Sequence, residues 1–493
     1  MSHFISILKN ILGFNQSNPI SLISGYFLFF LTILTFVYSF IYNKNLLRKW
    51  TLILFSLFFY YKLTGFYCFI ILFPSVIDFF IARKIESTSS EPRKKGLMYF
   101  SVLLSLGLLI YFKYTNFFIE IINVFSSKSF SALQIIIPVG ISFYIFRTIS
   151  YVIDVYNEKI EPVKDFTDYL VYMTFFPLLI SGPITRAETF LPQLNNSDSI
   201  TNEKINSGLF LIVKGIVKKA IFADYLSVYV AMIFTAPEGY SGIENLVGII
   251  CFSIQLYLDF SGYTDIASGV AKILGFEIGV NFNEPFKAKS ISDFWRRWHI
   301  SLSDWLKDYI FSPLSFYFRK YKLYGAISAM FITFFVCGIW HGTTFIFILF
   351  GILHGTILSW ELASKNLFLT TEGSLKHKVM SGLSWGLTFS FLIITMLAMR
   401  VENVQTAWGI ISKIGTNFGL DKAYLFFTAQ SAFTLMFILA LFFVFLSTKY
   451  KEMLKDKFLK AHFLVKLGII LIIIQLVVEL QNQEIVPFIY AQY

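Results

Sequence analysis

Between Ala326 and Trp360 the chain runs for 35 residues with no ionisable side chain except Cys337 and two histidines, His341 and His354. As one α-helix this run would be roughly 50 Å long, against about 30 Å for a single crossing of the hydrocarbon core of a bilayer. It must therefore bend or turn. "CGIWHG" (337–342), with Gly338 and Gly342 on either side of Trp340–His341, is the expected place. Irregular backbone at membrane depth is tolerated only where protein or a wet cavity covers it, so a turn that carries an imidazole implies a cavity.

Only 14% of the 493 residues are charged and 56% are hydrophobic, whereas soluble proteins carry about a quarter of their residues as charged side chains. Apolar segments expected to cross the bilayer include Leu22–Tyr42, Trp50–Leu63, Gly65–Ala82, Met98–Phe118, Ile135–Tyr156, Leu246–Phe260, Val379–Met399, Leu425–Leu446 and Leu467–Leu480. The chain reads as an all-α polytopic membrane protein. The net charge of +11 sits in short loops such as "NKNLLRK" (43–49), which points to anionic membrane lipids rather than nucleic acid. The opening "MSHFISILKN" spaces Phe4, Ile7, Leu8 and Ile11 as a helix lying in the interface, not as a cleavable signal. Cys68, Cys251 and Cys337 stand alone in apolar surroundings and read as packing residues, with no metal site indicated.

No internal repeat is present, which weakens a transporter reading, since many transporters are built from paired repeats. Polar residues concentrate mid-chain instead. "FFPLLISGPITR" (175–186) has two prolines around a glycine and reads as re-entrant. In "SISDFWRRWHISLSDWLKDYIF" (290–311), a helix capped by Ser290 or Ser292 would align Trp295, Trp298, Leu302, Trp305, Leu306 and Tyr309 as one stripe. Arg296 and Arg297 fall mostly on the other face, as headgroup anchors or as partners for donor phosphates. His299 shares the buried stripe and must hydrogen-bond something or line a polar cavity. Asp259, in "QLYLDFSGYTDIASGVAKILGF" (255–276), is an intramembrane carboxylate. It is read either as functional or as paired with Arg296, Arg297 or Lys272. His354 follows His341 by 13 residues, so on an unbroken helix it faces away. A neutral imidazole in an apolar site suits proton abstraction from a hydroxyl.

Together "YFKYTNFF", "PVGISFYIFRTISYVIDVY", "FFPLLISGPITR", "QLYLDFSGYTDIASGVAKILGF", "NFNEPFKAKSISDFWRRWHISLSDWLKDYI" and "CGIWHGTTFIFILFGILHG" resemble the membrane-bound O-acyltransferases. The likeness is to the branch typified by the alginate O-acetylation membrane protein. It implies a ring of roughly 11–13 tilted transmembrane and re-entrant helices around a central tunnel. It also implies one domain over 1–493, with a catalytic core at about 111–360, scaffold spans at 1–110 and 361–480, and an aromatic tail at 481–493. The family's near-invariant histidine falls on His341, its second on His299 and a third on His354. His341, as the base, and His299 would be catalytic, and Trp340, Trp298, His354 and Asp259 would line the tunnel. Arg147 and Leu178 stand where glutamine is common in this branch.

By the same resemblance, no cofactor is bound. An acyl thioester, acetyl-CoA, is the donor from the cytoplasm, and a hydroxyl of an exported or cell-wall glycan is the acceptor. A periplasmic SGNH-type esterase-like protein is the expected partner, and the cell inner membrane the expected location. Tyr490, in the tail "VPFIYAQY" (486–493), is read as an interfacial anchor or as an acyl relay. D-alanyl export is the alternative within the family; a transporter or flippase is the alternative outside it.

Overall fold

In the computed structural model, residues 12–15, 20–126, 129–195, 200–364 and 375–480 are described, the side chains of 375–377 excepted. The interfacial helix expected at the N-terminus therefore lies mostly outside the described residues, and Tyr490 lies outside them entirely. Among the described residues the regular structure is helical throughout, with no strand. Seven helical stretches are long and apolar enough to cross a membrane, or eight if one bent pair is counted. The last of them, Phe463–Leu480, leaves Leu471, Ile472 and Val478 all more than half exposed. In water such a surface would aggregate; against lipid tails it is the expected outer wall.

Two expected spans are interrupted. Leu425–Leu446 is broken at Gln430 into Leu420–Ala429 and Ser431–Phe445, which meet at 98°. Within Ile135–Tyr156 only Ile141–Tyr156 is helical, because Gly140 takes a left-handed φ of 77° and starts the helix there. A Cβ on Gly140 would also lie 1.8 Å from the Leu179 carbonyl oxygen, so that position requires glycine.

The chain divides into two compact units. The first comprises residues 1–212 and 263–279. It buries Arg147 to 1% exposure, and its guanidinium donates to the carbonyls of Tyr172 and Met173 at 2.9 and 2.8 Å. These are among the last carbonyls of helix Phe166–Thr174, which would otherwise lack partners. Lys49 pairs with Asp168 of the same helix, and the Ser56 hydroxyl accepts from Phe176 N at 3.1 Å. The following stretch, 179–186, has no helix and is almost wholly buried, as the Pro–Gly–Pro pattern requires.

The second unit comprises 213–262 and 280–493 and holds the long uncharged run. That run is a helical hairpin: Lys322–His341, a three-residue break, then Phe345–Ala363. Glycines set the approach of its two arms. A Cβ on Gly338 would lie 2.5 Å from Phe347 O and 2.7 Å from Gly351 Cα, and one on Gly342 would meet the Phe347 ring at 2.1 Å. Small residues at such seams let backbones pack closely where lipid gives no hydrophobic drive for association.

Gly338→Ala should therefore lower the melting temperature in detergent, since overpacking costs about 1–3 kcal/mol. Gly382→Ala is the comparison. No atom lies within 4 Å of a Cβ there, so alanine's better helix propensity should keep or raise that temperature. Equal melting of the two variants would count against the seam.

Candidate active site

The hairpin turn places His341 at the last helical residue before the break, 3% exposed. Because the chain reverses at 342–344, His354 comes back into the same space instead of facing away. His341, His354, Trp295, Trp298 and Phe350 line one narrow cavity, closed by Leu256, Phe294, Leu392, Thr395, Met396 and Met399. Its volume is about 10 Å³, room for about one water molecule. Aromatic rings link the histidines: His341 lies 5.0 Å from Trp340 and 5.5 Å from Phe350, and Phe350 lies 4.3 Å from His354.

His354 is held on both nitrogens. Trp295 Nε1, which can only donate, gives its proton to His354 Nδ1 at 3.2 Å. His354 Nε2 is 3.1 Å from Thr395 Oγ1, whose own proton is directed to the Phe391 and Leu392 carbonyls. The ring is thereby fixed as the neutral Nε2–H tautomer with its lone pair occupied. It shapes the cavity and is poorly placed to take a proton from a substrate.

The segment read as one helix over 290–311 is broken. Ser290 caps a short helix, Ile291–Trp295, by accepting from Asp293 N. Glu361 of the hairpin's second arm also accepts from Ile291 N and Ser292 N, at 2.7 and 2.8 Å. The chain then turns, and His299 takes a left-handed conformation (φ 43°, ψ 53°) before helix Ile300–Leu306. A single helical stripe is thus ruled out, although Trp295, Trp298, Leu302, Trp305 and Leu306 are all buried. A non-glycine residue in this backbone region costs of order 1–3 kcal/mol and marks a place where the surroundings over-determine the geometry.

His299 is fully buried, with Phe260 edge-on at 4.9 Å and Trp340 at 6.3 Å. It lies between the spans rather than on one, and burial pushes its pKa down to about 3, so the ring is neutral at physiological pH. Trp298 stacks on Phe294 at 5.4 Å and faces the cavity, whereas His299, Trp340 and Asp259 are not among its lining residues. The structure thus joins His341, His354 and Trp298 in one space and sets Trp340 between His341 and His299.

Arg297 donates to Asp293 at 3.0 Å and to the Asn283 carbonyl at 3.4 Å, so it braces the turn. The Arg296 side chain is 73% exposed and approaches Asp293 at 3.5 Å. Asp259 pairs with neither arginine nor with Lys272. Its partner is Lys219, at 2.6 Å, which also holds Asp224 at 2.7 Å. No spacing or motif singles out Lys219. A π-helical stretch, Val217–Ala223, shifts the register of that helix and turns the lysine inward. Two further residues were missed, Thr395 and Asn281. Asn281 is 1% exposed, and its only signal in sequence is an amide set between Val280 and Phe282.

The adjoining loop is fixed by Glu284, which accepts from Lys451 at 2.8 Å, Lys287 at 3.0 Å and Thr448 at 2.9 Å. Burial alone would raise its pKa, but these bonds outweigh it and hold the carboxyl at about 2. Among the described residues no cluster of His, Cys, Asp or Glu has the arrangement of a metal site.

Fold and site together define a polytopic membrane protein with a histidine-lined constriction at a helix break. The family model described as MBOAT, the membrane-bound O-acyltransferase family, matches residues 163–401, which include all three histidines. The probable alginate O-acetylase AlgI of Pseudomonas aeruginosa is 34% identical over 347 residues, 69% of this chain and 65% of that one. The peptidoglycan O-acetyltransferase of Helicobacter pylori is 31% identical over 404 residues, covering 76% of each chain. The teichoic acid D-alanyltransferase of Bacillus subtilis is 32% identical over 212 residues, 41% of this chain and 53% of that one. The protein belongs to the membrane-bound O-acyltransferase family.

Lys219→Met would leave two carboxylates without their shared cation. It should destabilise the protein by about 3–5 kcal/mol, read as a large drop in melting temperature. Lys219→Met combined with Asp224→Asn and Asp259→Asn should recover most of the loss. No recovery in the triple variant would mean that the lysine matters for some other reason.

Proposed function

We propose that this protein transfers an acetyl group from a cytoplasmic acetyl thioester, acetyl-CoA, toward hydroxyls of an exported or cell-wall polysaccharide. The observation that carries the reading is His341, buried at a helix break in a closed aromatic cavity and inside the family-matched stretch. The likeness to relatives described as acetylating alginate and peptidoglycan supports acetyl over other acyl groups. D-alanyl transfer is the second reading, favoured by the shorter match to a teichoic acid D-alanyltransferase.

In this reading His341 takes the proton of the acceptor hydroxyl as its oxygen attacks the thioester carbonyl. A C–O bond forms, the C–S bond breaks, and the thiolate leaves with the proton that His341 returns. His299 is the second imidazole of the site, and Trp298 and His354 shape the space around the acyl group. Asp259, tied to Lys219, holds the neighbouring helices. Exposed Arg296, with Arg297 beside it, would meet the phosphates of the donor, where a planar guanidinium fork gives two hydrogen bonds. The cell inner membrane and a periplasmic SGNH-type partner belong to this proposal, as does Tyr490 as an acyl relay.

His341→Ala should reduce transfer from radiolabelled acetyl-CoA by 10²–10⁴-fold, the usual loss with a general base, and leave the melting temperature within a few degrees. Retention of a tenth or more of wild-type activity by the folded variant would reject His341 as the base. Labelling from a D-alanyl carrier protein but not from acetyl-CoA would favour the second reading.

A further inference from the structure

Asn281 holds the turn that bears His299 in two ways. Its backbone carbonyl accepts from Ile300 N at 3.0 Å, and its side-chain Oδ1 accepts from Ser301 N at 3.1 Å and Ser301 Oγ at 2.9 Å. Two residues on, Asn283 N donates to Arg297 O at 2.8 Å. A short length of extended chain is thereby laced along both sides of the left-handed residue.

The same Oδ1 lies 3.2 Å from His299 Nδ1. Which way an amide points is settled by what surrounds it. Ser301 N is a backbone donor and can only give a proton, so the atom it meets must be the amide oxygen. An amide oxygen can only accept. His299 Nδ1 must then carry a proton and donate it. In a neutral imidazole the other nitrogen, Nε2, is left with the lone pair.

We propose that Asn281 is a positioning residue for acyl transfer: it holds His299 in the Nδ1–H tautomer and so makes Nε2 its proton-accepting atom. His354 is the reverse case, with Nδ1 occupied by the Trp295 indole proton and Nε2 protonated toward Thr395. The two buried histidines flanking His341 thus carry opposite tautomers. One is set as a base and the other as a fixed wall. Nothing in the family match selects Asn281 for this role; the selection comes from the serine amide that fixes its oxygen.

Other titratable groups on the elements packed around His299 are few. Asp259, beside Phe260 on helix Gly242–Ile273, is tied to Lys219. His341 is next to Trp340 on helix Lys322–His341, and on the turn itself Arg297 is tied to Asp293. Burial keeps the wild-type ring neutral down to about pH 3, so Asn281 selects between two neutral forms and does not need to discharge the ring. A carboxylate in its place would still accept from Nδ1–H but would also stabilise the imidazolium.

The inference rests on the acyl-transfer reading for its kinetic consequence but not for the tautomer. Nitrogen-15 spectra of histidine-labelled protein in detergent, with His299 assigned by its loss in His299→Gln, should show a protonated Nδ1 and a bare Nε2. A protonated Nε2 would overturn the proposal. Asn281→Leu should lower kcat by roughly 10–100-fold, with KM for the donor little changed. In Asn281→Asp much of kcat should return, and the pH titration profile of the His299 nitrogen-15 signals should move up, because the carboxylate stabilises the imidazolium. A profile superimposable on wild type, or equal losses of kcat and melting temperature in both variants, would reduce Asn281 to a structural residue. If wild-type protein transfers no acyl group, the functional reading fails on its own, and the spectra still decide what Asn281 does to the ring.

Discussion

Everything at the candidate site depends on how closely two backbones approach along the Gly338–Gly351 seam. Two helices that face lipid gain little from hydrophobic burial against each other, so their association relies on contact at short range and on polar tethers. Here the contact needs glycine, because side chains on those two residues would occupy the space of the opposite backbone. The tether is Glu361, which ties the second arm to the start of helix Ile291–Trp295. With both in place, an imidazole at the end of one helix and another halfway along the next share a single cavity.

That arrangement explains why histidines persist where leucine would pack at lower cost. A buried polar group is tolerated when its hydrogen bonds are made, and a half-satisfied network is worse than none. The Trp295–His354–Thr395 series meets the condition with every proton accounted for, since the threonine passes its own proton to backbone carbonyls. Lys219 meets it for two carboxylates at once. These polar assemblies lie on different helices, and the Trp295–His354–Thr395 series fixes one wall of the cavity at His341. The rigidity of the site is thus built from satisfied polar groups set into an apolar shell, not from the shell alone.

Much of this was legible in the sequence, and the limits of legibility have physical causes. The membrane class, a turn at the end of "CGIWHG" and the family followed from charge spacing and from motifs, and His341 and His299 were singled out on the same grounds. Three features did not. His299 was assigned to a helical stripe, because periodicity cannot register a left-handed residue that breaks it. Lys219 was overlooked as the partner of Asp259, because a π-helical turn moves a lysine from one face to another without any mark in composition. Asn281 was overlooked because its role is relational: an amide acquires meaning only once the serine N–H that orients it is known. Local patterns reveal where chemistry is housed, whereas the residues that tune it become visible through distances.

The size of the cavity adds a constraint of its own. Space for about one water is too little for an acetyl group together with the oxygen that attacks it. For the proposed transfer at His341 the surrounding wall would therefore have to yield, and the wall is not uniform. On one side stand residues pinned by hydrogen bonds, His354 through Trp295 and Thr395. On another stand Leu392, Met396 and Met399, two of which carry an unbranched thioether that repacks easily. The methionine side carries the more adaptable side chains, and the histidine side is the one held by hydrogen bonds.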